Sequence, residues 1–518
     1  MSEPKKPRAY LALAGIALLL GVAREASAQN ASALTSQNAV EIAIKNNPSL
    51  HVALLQETQA RYAVTAEEAF YDPIFGASAN YAHNRSPANN NGGTIVTTSD
   101  TYALGTSLTK GFSTGTVVGA QLQGQRVTRA ALPINTQGGS NGLGPFYSVL
   151  GQLTLTQPFL RGSGSTLGLA SLRVAELNRT AATLAARQTG SQMLHDVLLT
   201  YWELWYATEA VRIDEASRDL AKSQQVQAEE QVKSGTLAHV DALAYATQTA
   251  QQDLTLDTAV TTVRQKALAL ALLIGLADQK VPELTAIETP PEVTIDELGD
   301  RAVAEALAAS YELKQAQAQL QISQYQSKIA ADSLRPRLDL TASVSAQGLG
   351  NGTLPPAFDQ FGRMEAVSAA VGLTFETPVT NTRRQAQIES ALLSMHIAEK
   401  QIDSLRQQTK TNIALGVSAR NAAKRRLEFA LVNEKVSHEQ ADGMQGKFAA
   451  GTALAIEVQK ANNDYQVAQL EVQRARVELV EAELDLLNLR GKLLERYADA
   501  LKAYQPTALI LSGANAPM

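Results

Sequence analysis

The chain of 518 residues contains no cysteine. That absence excludes disulfides, thiolate catalysis, cysteine-ligated metal sites and lipid attachment through an N-terminal cysteine, so packing must hold the fold together. No lysine- or arginine-rich block occurs after the first ten residues, and the formal net charge is -5, so the electrostatic footprint of a nucleic-acid binder is missing. Beyond residue 28 no stretch reads as a membrane-spanning helix, which needs about 20 apolar residues. The six histidines, His51, His83, His195, His239, His396 and His438, never fall at His-x-x-x-His or another metal spacing. There is no Gly-x-Ser-x-Gly elbow and no phosphate-cradling loop; Gly111 to Gly115 lies between strands and lacks lysine. No enzyme, cofactor or metal site is expected.

What is present is 45% hydrophobic and 18% charged residues, the balance of a folded chain with room for two or three domains. Residues 1–28 read as a secretory signal peptide: Lys5, Lys6 and Arg8, then the apolar run Tyr10 to Val22, then Ala26-Ser27-Ala28. Export without a helical anchor leaves the periplasm, the exterior or an outer-membrane β-barrel.

Two stretches dominate the remainder. Arg383 to Phe448 contains no proline, and Ile388, Leu392, Met395, Ile402 and Leu405 recur at the spacing of a coiled-coil seam. Such a helix of ~65 residues would be about 100 Å long. It ends at Gly451-Thr452 (turn 449–452), and a partner helix is expected over 453–494. An equivalent long helix is expected over 168–232, a turn at 233–239 containing Gly235-Thr236, and a partner over 240–273. Helices opening at Ser36 and Ile295 and ending at Pro73 and Pro336 precede alternating, strand-like segments within 75–157 and 338–376. His83 to Thr98, Ala130 to Gly144 and Gly348 to Arg363 read as loops. Residues 276–294, with Pro282, Pro290 and Pro291, read as a linker, and 497–518 as a tail.

These segments form a series used twice, over 29–275 and 295–496. Val40, Leu50 and Pro73 match Val303, Leu313 and Pro336, each pair 263 positions apart. Leu153-Thr154-Leu155-Thr156-Gln157-Pro158 matches Leu373-Thr374-Phe375-Glu376-Thr377-Pro378 at 220, and the Gly-Thr pairs match at 216. Order and residue type are kept through three blocks, with 43 extra residues between the strands of the first copy. Strands with two different faces cannot close a barrel from so few, and a membrane forbids unpaired edges, so several chains must pool them. Four strands per chain would close a trimer at twelve; if the Tyr102 to Gln125 hairpin also enters the wall, the number is eighteen. Twelve is the expectation, because the second copy supplies two strands.

Asn46-Asn47-Pro48-x-Leu50, Arg335-Pro336 before a strand, Leu-Thr-x-x-x-Pro before each long helix and Gly-Thr at each helix turn, in this order, resemble the TolC-like outer-membrane efflux proteins, the outer membrane factors. The resemblance covers essentially the whole mature chain. It implies an α+β membrane protein, a homotrimer in which a long α-helical coiled-coil barrel is continuous with an outer-membrane β-barrel. The implied function is a trans-periplasmic exit duct of a tripartite efflux or type I secretion system. Its partners would be a periplasmic adaptor, an inner-membrane pump of RND or ABC type and outer-membrane lipid.

By the same resemblance Gly235, Thr236, Gly451 and Thr452 mark adaptor-contacting turns. Glu457, six residues after Gly451, matches an acidic position of the pore constriction, and Asp241 stands at the same distance from Gly235. The family's next acidic position is Lys460 here and its arginine is Ala453, so the latch departs from the family pattern. Three equal carboxylates in a ring would raise one another's pKa and favour cations; acids in a helix's first turn also simply suit its dipole. A secreted coiled-coil scaffold or adhesin would equally use long rods without enzymatic chemistry.

Overall fold

A computed structural model describes residues 33–90, 93–133, 143–276, 284–291, 299–450 and 452–497. The expected leader, parts of the 276–294 linker, Gly451 and all of the tail after Tyr497 lie outside the described residues. The chain divides into a helical unit, with residues up to Leu54, Ala185–Tyr311 and Leu405 onward, and a sheet unit, Leu55–Leu184 and Glu312–Ser404.

Helices α1 (Ser36–Asn46) and α2 (Pro48–Glu68) open the chain. Thr35 Oγ1 accepts from Asn38 N at 3.1 Å, capping α1. Asn47 separates the two helices: its Oδ1 accepts from Leu50 N at 3.0 Å while its Nδ2 donates to Leu273 O at 2.7 Å. Helices α3 (Ala170–Lys233) and α4 (His239–Leu273) follow the first set of strands. The second half holds α5 (Gly299–Ala309) and α6 (Tyr311–Ser333), then α7 (Pro355–Gly362), α8 (Thr382–Ala449) and α9 (Ala455–Leu489). The sequence reading of one helix over Ile295 to Ser333 is corrected: a break falls at Ser310, 263 positions after Asn47. Ser310 N donates to Ala306 O at 2.9 Å as Asn47 N does to Ala43 O at 2.8 Å.

In the helical unit, Leu194, Val197, Leu198, Tyr201, Leu204 and Trp205 line one stripe of α3 at helical spacing. They pack with Val40, Ala43 and Ile44 of α1, Leu270 and Ile274 from α4 and its end, and Val477, Val480 and Leu484 of α9. The buried Tyr201 hydroxyl donates to Leu34 O at 3.0 Å, beside a two-residue parallel pairing of Ala33–Leu34 with Thr285–Ala286. Farther along α8 and α9 small residues meet: Ala430 packs with Val472 and Ala475, and Ala423 with Leu479 and Ala482.

The sheet unit holds β1 (Ile74–Asn90), β2 (Gly93–Gly111), β3 (Val117–Pro133), β4 (Leu143–Pro158), β5 (Arg337–Asn351) and β6 (Ala366–Glu376). They pair antiparallel in sequence order, with β1 and β6 at the edges. The expectation of four strands per chain is therefore corrected to six, because the β2–β3 hairpin is hydrogen-bonded into the wall between β1 and β4.

Two expected loops are strand as far as they are described: β1 and β2 run to Asn90 and from Gly93, and β3 continues to Pro133. The asparagine, glycine and proline of these stretches are loop signals when read locally. The third, Gly348 to Arg363, contains the end of β5 and helix α7, whose first two residues are Pro355 and Pro356, a position where proline is tolerated because the first amides need no helical partner.

Candidate functional site

The turn between α3 and α4 follows from its glycine. Gly235 has φ +76°, the left-handed conformation that costs a side chain most. It lets Thr236 N donate to Gln231 O at 2.9 Å and Gly235 N to Val232 O at 3.1 Å, the paired bonds of a Schellman cap. Thr236 Oγ1 also donates to Gln231 O at 3.1 Å. The second turn repeats this: Thr452 N and Oγ1 both donate to Lys447 O, at 2.9 and 3.1 Å. Gly451 itself lies outside the described residues.

Asp241 and Glu457 occupy the same third position of α4 and α9, and both are exposed. Glu457 Oε2 accepts from Leu454 N at 2.9 Å, satisfying an amide before the helix. Neither carboxylate forms an ion pair among the described residues. Lys460 is exposed on the same helix. Beside the acids stand two residues that the sequence reading passed over: Val240 and Ile456, at matching second positions, are 72% and 61% exposed. Their signal was available, since each lies five residues after the turn glycine in Gly-Thr-x-x-x-[Val/Ile]-[Asp/Glu]. Each turn thus presents an apolar side chain next to an acid.

Deeper in the helical unit a polar layer crosses α3, α4 and α9. Buried Asp214 accepts from Gln466 Nε2 at 2.8 Å, Gln252 Nε2 donates to Gln466 Oε1 at 3.0 Å, and Gln248 Nε2 to Asn463 Oδ1 at 2.8 Å. Burial raises the Asp214 pKa against the opposing Gln466 bond. A charged cluster joins the same helices to α8. Arg474 reaches Glu203 at 2.6 Å, Glu478 at 3.3 Å and Glu481 at 3.7 Å; Lys266 meets Glu203 at 3.1 Å and Arg426 meets Glu478 at 3.0 Å. Burial and the shared hydrogen bond with Glu203 push Glu481 up to about 7, while Arg474 and Lys266, against burial, hold Glu203 at about 2. Such partly buried ion pairs are weak evidence for stability, because desolvation offsets much of their attraction.

The sheet has two chemically distinct faces. Register aligns Phe75, Leu108, Ala120, Leu153, Val344 and Ala369 on one, and Gly76, Ser107, Gln121, Gln152, Ser345 and Ser368 on the other. Among the described residues, no charged side chain stands on the polar face between Asp339 and Glu376 at the helix end and Arg129 toward the hairpin tips. The apolar face carries exposed Val371, Phe75, Leu104 and Phe375. It is crossed toward the hairpin tips by the row Tyr81, Tyr102, Arg126 and Tyr147, with His83 and Asp100 beyond. Among the described residues no helix is long and apolar enough to cross a membrane, and no group of three or more His, Cys, Asp or Glu could hold a metal ion.

Residues 302–494 match the family model described as Outer membrane efflux protein. None of the curated proteins matches the chain by sequence. Among solved structures, the Campylobacter jejuni CmeC outer membrane channel is 14% identical with TM-score 0.67, over 91% of this chain and 90% of that one. The Vibrio cholerae outer membrane protein VceC is 15% identical with TM-score 0.63, over 88% and 96%. The open state of the Neisseria gonorrhoeae MtrE outer membrane channel is 16% identical with TM-score 0.63, over 88% and 89%.

Proposed function

Because the chain carries an outer membrane efflux protein domain over residues 302–494 and has the fold of outer-membrane channels, we propose that three copies form an exit duct in the outer membrane of a Gram-negative-type cell. The observation that carries this reading is the six-stranded sheet, apolar on one face and polar on the other, with edges at β1 and β6. Such edges need partners in a membrane. Pairing β6 of each copy with β1 of the next closes eighteen strands, the apolar face toward lipid and the polar face, uncharged along most of its length, around water. The long helices of the three copies form a coiled-coil tunnel in the periplasm, each chain contributing two copies of one unit, 29–275 and 295–496.

The duct receives substrate from an inner-membrane pump of RND or ABC type through a periplasmic adaptor, in efflux or type I secretion. The turns at Gly235-Thr236 and Gly451-Thr452 contact the adaptor, with Val240 and Ile456 as apolar anchors, and Glu457 and Asp241 line the constriction. Heat-modifiable migration of a trimer from washed outer-membrane fractions tests the assembly; a secreted scaffold or adhesin would be released by carbonate and salt. In planar bilayers Glu457→Ala is expected to lower cation selectivity and alter conductance. Unchanged values would remove Glu457 from the pore.

A further inference from the structure

Helix α7 lies on the apolar face of the sheet, over notches that only glycine provides. A Cβ on Gly348 would meet Ala357 O at 1.9 Å, and one on Gly151 would meet the Phe361 ring at 2.8 Å. Ala357 is fully buried there, and Gln360 Oε1 accepts from Leu349 N at 2.7 Å. The exposed side chains at α7 are mixed: Phe358 is half exposed, Leu354 just before the helix is 39% exposed, and Asp359 pairs with Arg363 just after it at 2.8 Å. A helix with apolar anchors and an ion pair suits the boundary between headgroups and acyl chains, not the hydrocarbon centre.

The register places α7 at that boundary. On β1 the apolar run extends from Phe75 to Tyr81, level with Val344 and Gly350 of β5; on β6 it extends from Phe375 to Val367, level with Leu338 and Ala346. Both ends of the band shift the same way across the sheet, as strands tilted by about 35–45° require. On β5 the upper boundary therefore falls between Ala346 and Gly350, where α7 is seated. These strand ends are opposite the ones that join β1, β4, β5 and β6 to the long helices, so with those helices in the periplasm, as the barrel reading has them, this is the outer leaflet.

Between α7 and the strands runs a groove of about 660 Å³ whose walls include Leu104, Val149 and Phe358 and whose upper end holds Tyr102, Arg126 and Tyr147. The Arg126 guanidinium stands 5.9 Å from the Tyr102 ring centroid and is exposed. It has no carboxylate partner among the described residues. An apolar trough under an unpaired cation flanked by tyrosines complements one ligand chemistry: an acyl chain bearing an anionic headgroup.

We propose that α7 is an interfacial helix on the lipid side of the barrel wall, and that the groove beside it holds an acyl chain of a phosphate-bearing glycolipid of the outer leaflet, with Arg126 on its phosphate. This rests on the barrel reading above. The cysteine-free chain allows a clean test. Full-length Phe358→Cys and Val371→Cys, each carrying an environment-sensitive fluorophore, are reconstituted into vesicles containing lipopolysaccharide and spin-labelled phospholipids. The label at 358 should be quenched most by shallow spin labels and the label at 371 by deep ones. Quenching at 358 by aqueous iodide alone, with 371 still quenched by lipid, overturns the placement of α7. Loss of lipid quenching at both positions overturns the barrel reading instead. In detergent, lipopolysaccharide should raise the melting temperature of the wild-type protein more than phosphatidylglycerol does, and Arg126→Gln should lose most of that excess. Equal shifts from both lipids, or an undiminished excess in Arg126→Gln, would overturn the glycolipid site.

Discussion

The helical unit buries a core of large apolar side chains while exposing others such as Val240 and Phe429, whereas the described strands of the sheet unit leave most of theirs exposed. Tyr201, Leu194 and Leu270 are 0% exposed in the one, whereas Val371 is 77% and Phe75 70% exposed in the other. Both patterns come from one chain with ordinary composition, so the difference lies in the surroundings each unit is built for. The helical unit satisfies itself by burying a stripe of α3 against α1, α4 and α9. The sheet satisfies its backbone by pairing and leaves a contiguous apolar face of a size that water-exposed monomers rarely show. Its polar face shows the converse economy, with hydroxyls, amides and glycines and no charge along most of its length.

The sharpest way to break this contrast is to put a charge on each face in turn. Val371→Arg, at the middle of the apolar run of β6, should cost about 2–4 kcal/mol per chain if that face meets lipid, and should abolish the heat-modifiable trimer in outer-membrane fractions. Ser345→Arg, on the polar face of β5, should leave assembly intact and reduce cation conductance. Equal assembly of the two variants would show that the faces do not meet different solvents.

A smaller effect is expected within the helical unit at its turn. Gly235→Val forces a branched side chain into the left-handed region, at a cost of roughly 1–2 kcal/mol, and should speed proteolysis near the turn. Gly235→Asn, which tolerates that conformation, should recover most of the loss. Similar protease sensitivity in both variants would detach the turn's stability from the φ of Gly235.

The same contrast explains what could be read from the sequence. The long helices were visible because no proline interrupts them, and the turns because Gly-Thr recurs. Strands were visible only where apolar and polar residues alternate, as from Phe75 to Tyr81, whereas His83 to Thr98 is rich in asparagine and glycine and reads as a loop. The β2–β3 hairpin was seen but assigned outside the wall, since symmetry with the second copy argued for two strands per copy and nothing local announces which strands pair. Helix α7 was missed because Pro355, Pro356 and nearby glycines are loop signals when read locally; the Gly348 and Gly151 notches acquire meaning only once β4 and β5 are adjacent. The acids at 241 and 457 were singled out by the resemblance to the outer membrane factors, while Val240 and Ile456 were overlooked because an apolar residue on a helix is ordinarily assumed to be buried.

The smallest effect tests how the helical unit's polar contacts respond to pH. Glu481, raised to about 7 in the folded protein, binds its proton more tightly there than in the unfolded chain, so its influence weakens the fold as pH rises from the usual carboxylate range through 7. Glu203, lowered to about 2, acts oppositely: its contribution is present above the usual carboxylate pKa and is lost as pH falls toward 2. His195 is buried, which alone would lower its pKa, but its bonds to Asp485 and Asp196 raise it. Its contribution is full below its unfolded pKa and fades as pH climbs through the raised value. Glu481→Gln keeps a hydrogen-bond donor toward Glu203 beside Arg474, Lys266 and Glu478, and cannot ionise. Its melting temperature should match the wild type at pH 5 and exceed it at pH 8, the His195 contribution being common to both proteins. A difference between the two proteins that is the same at pH 5 and pH 8 would mean that Glu481 does not hold the extra proton, and that the cluster does not sense pH.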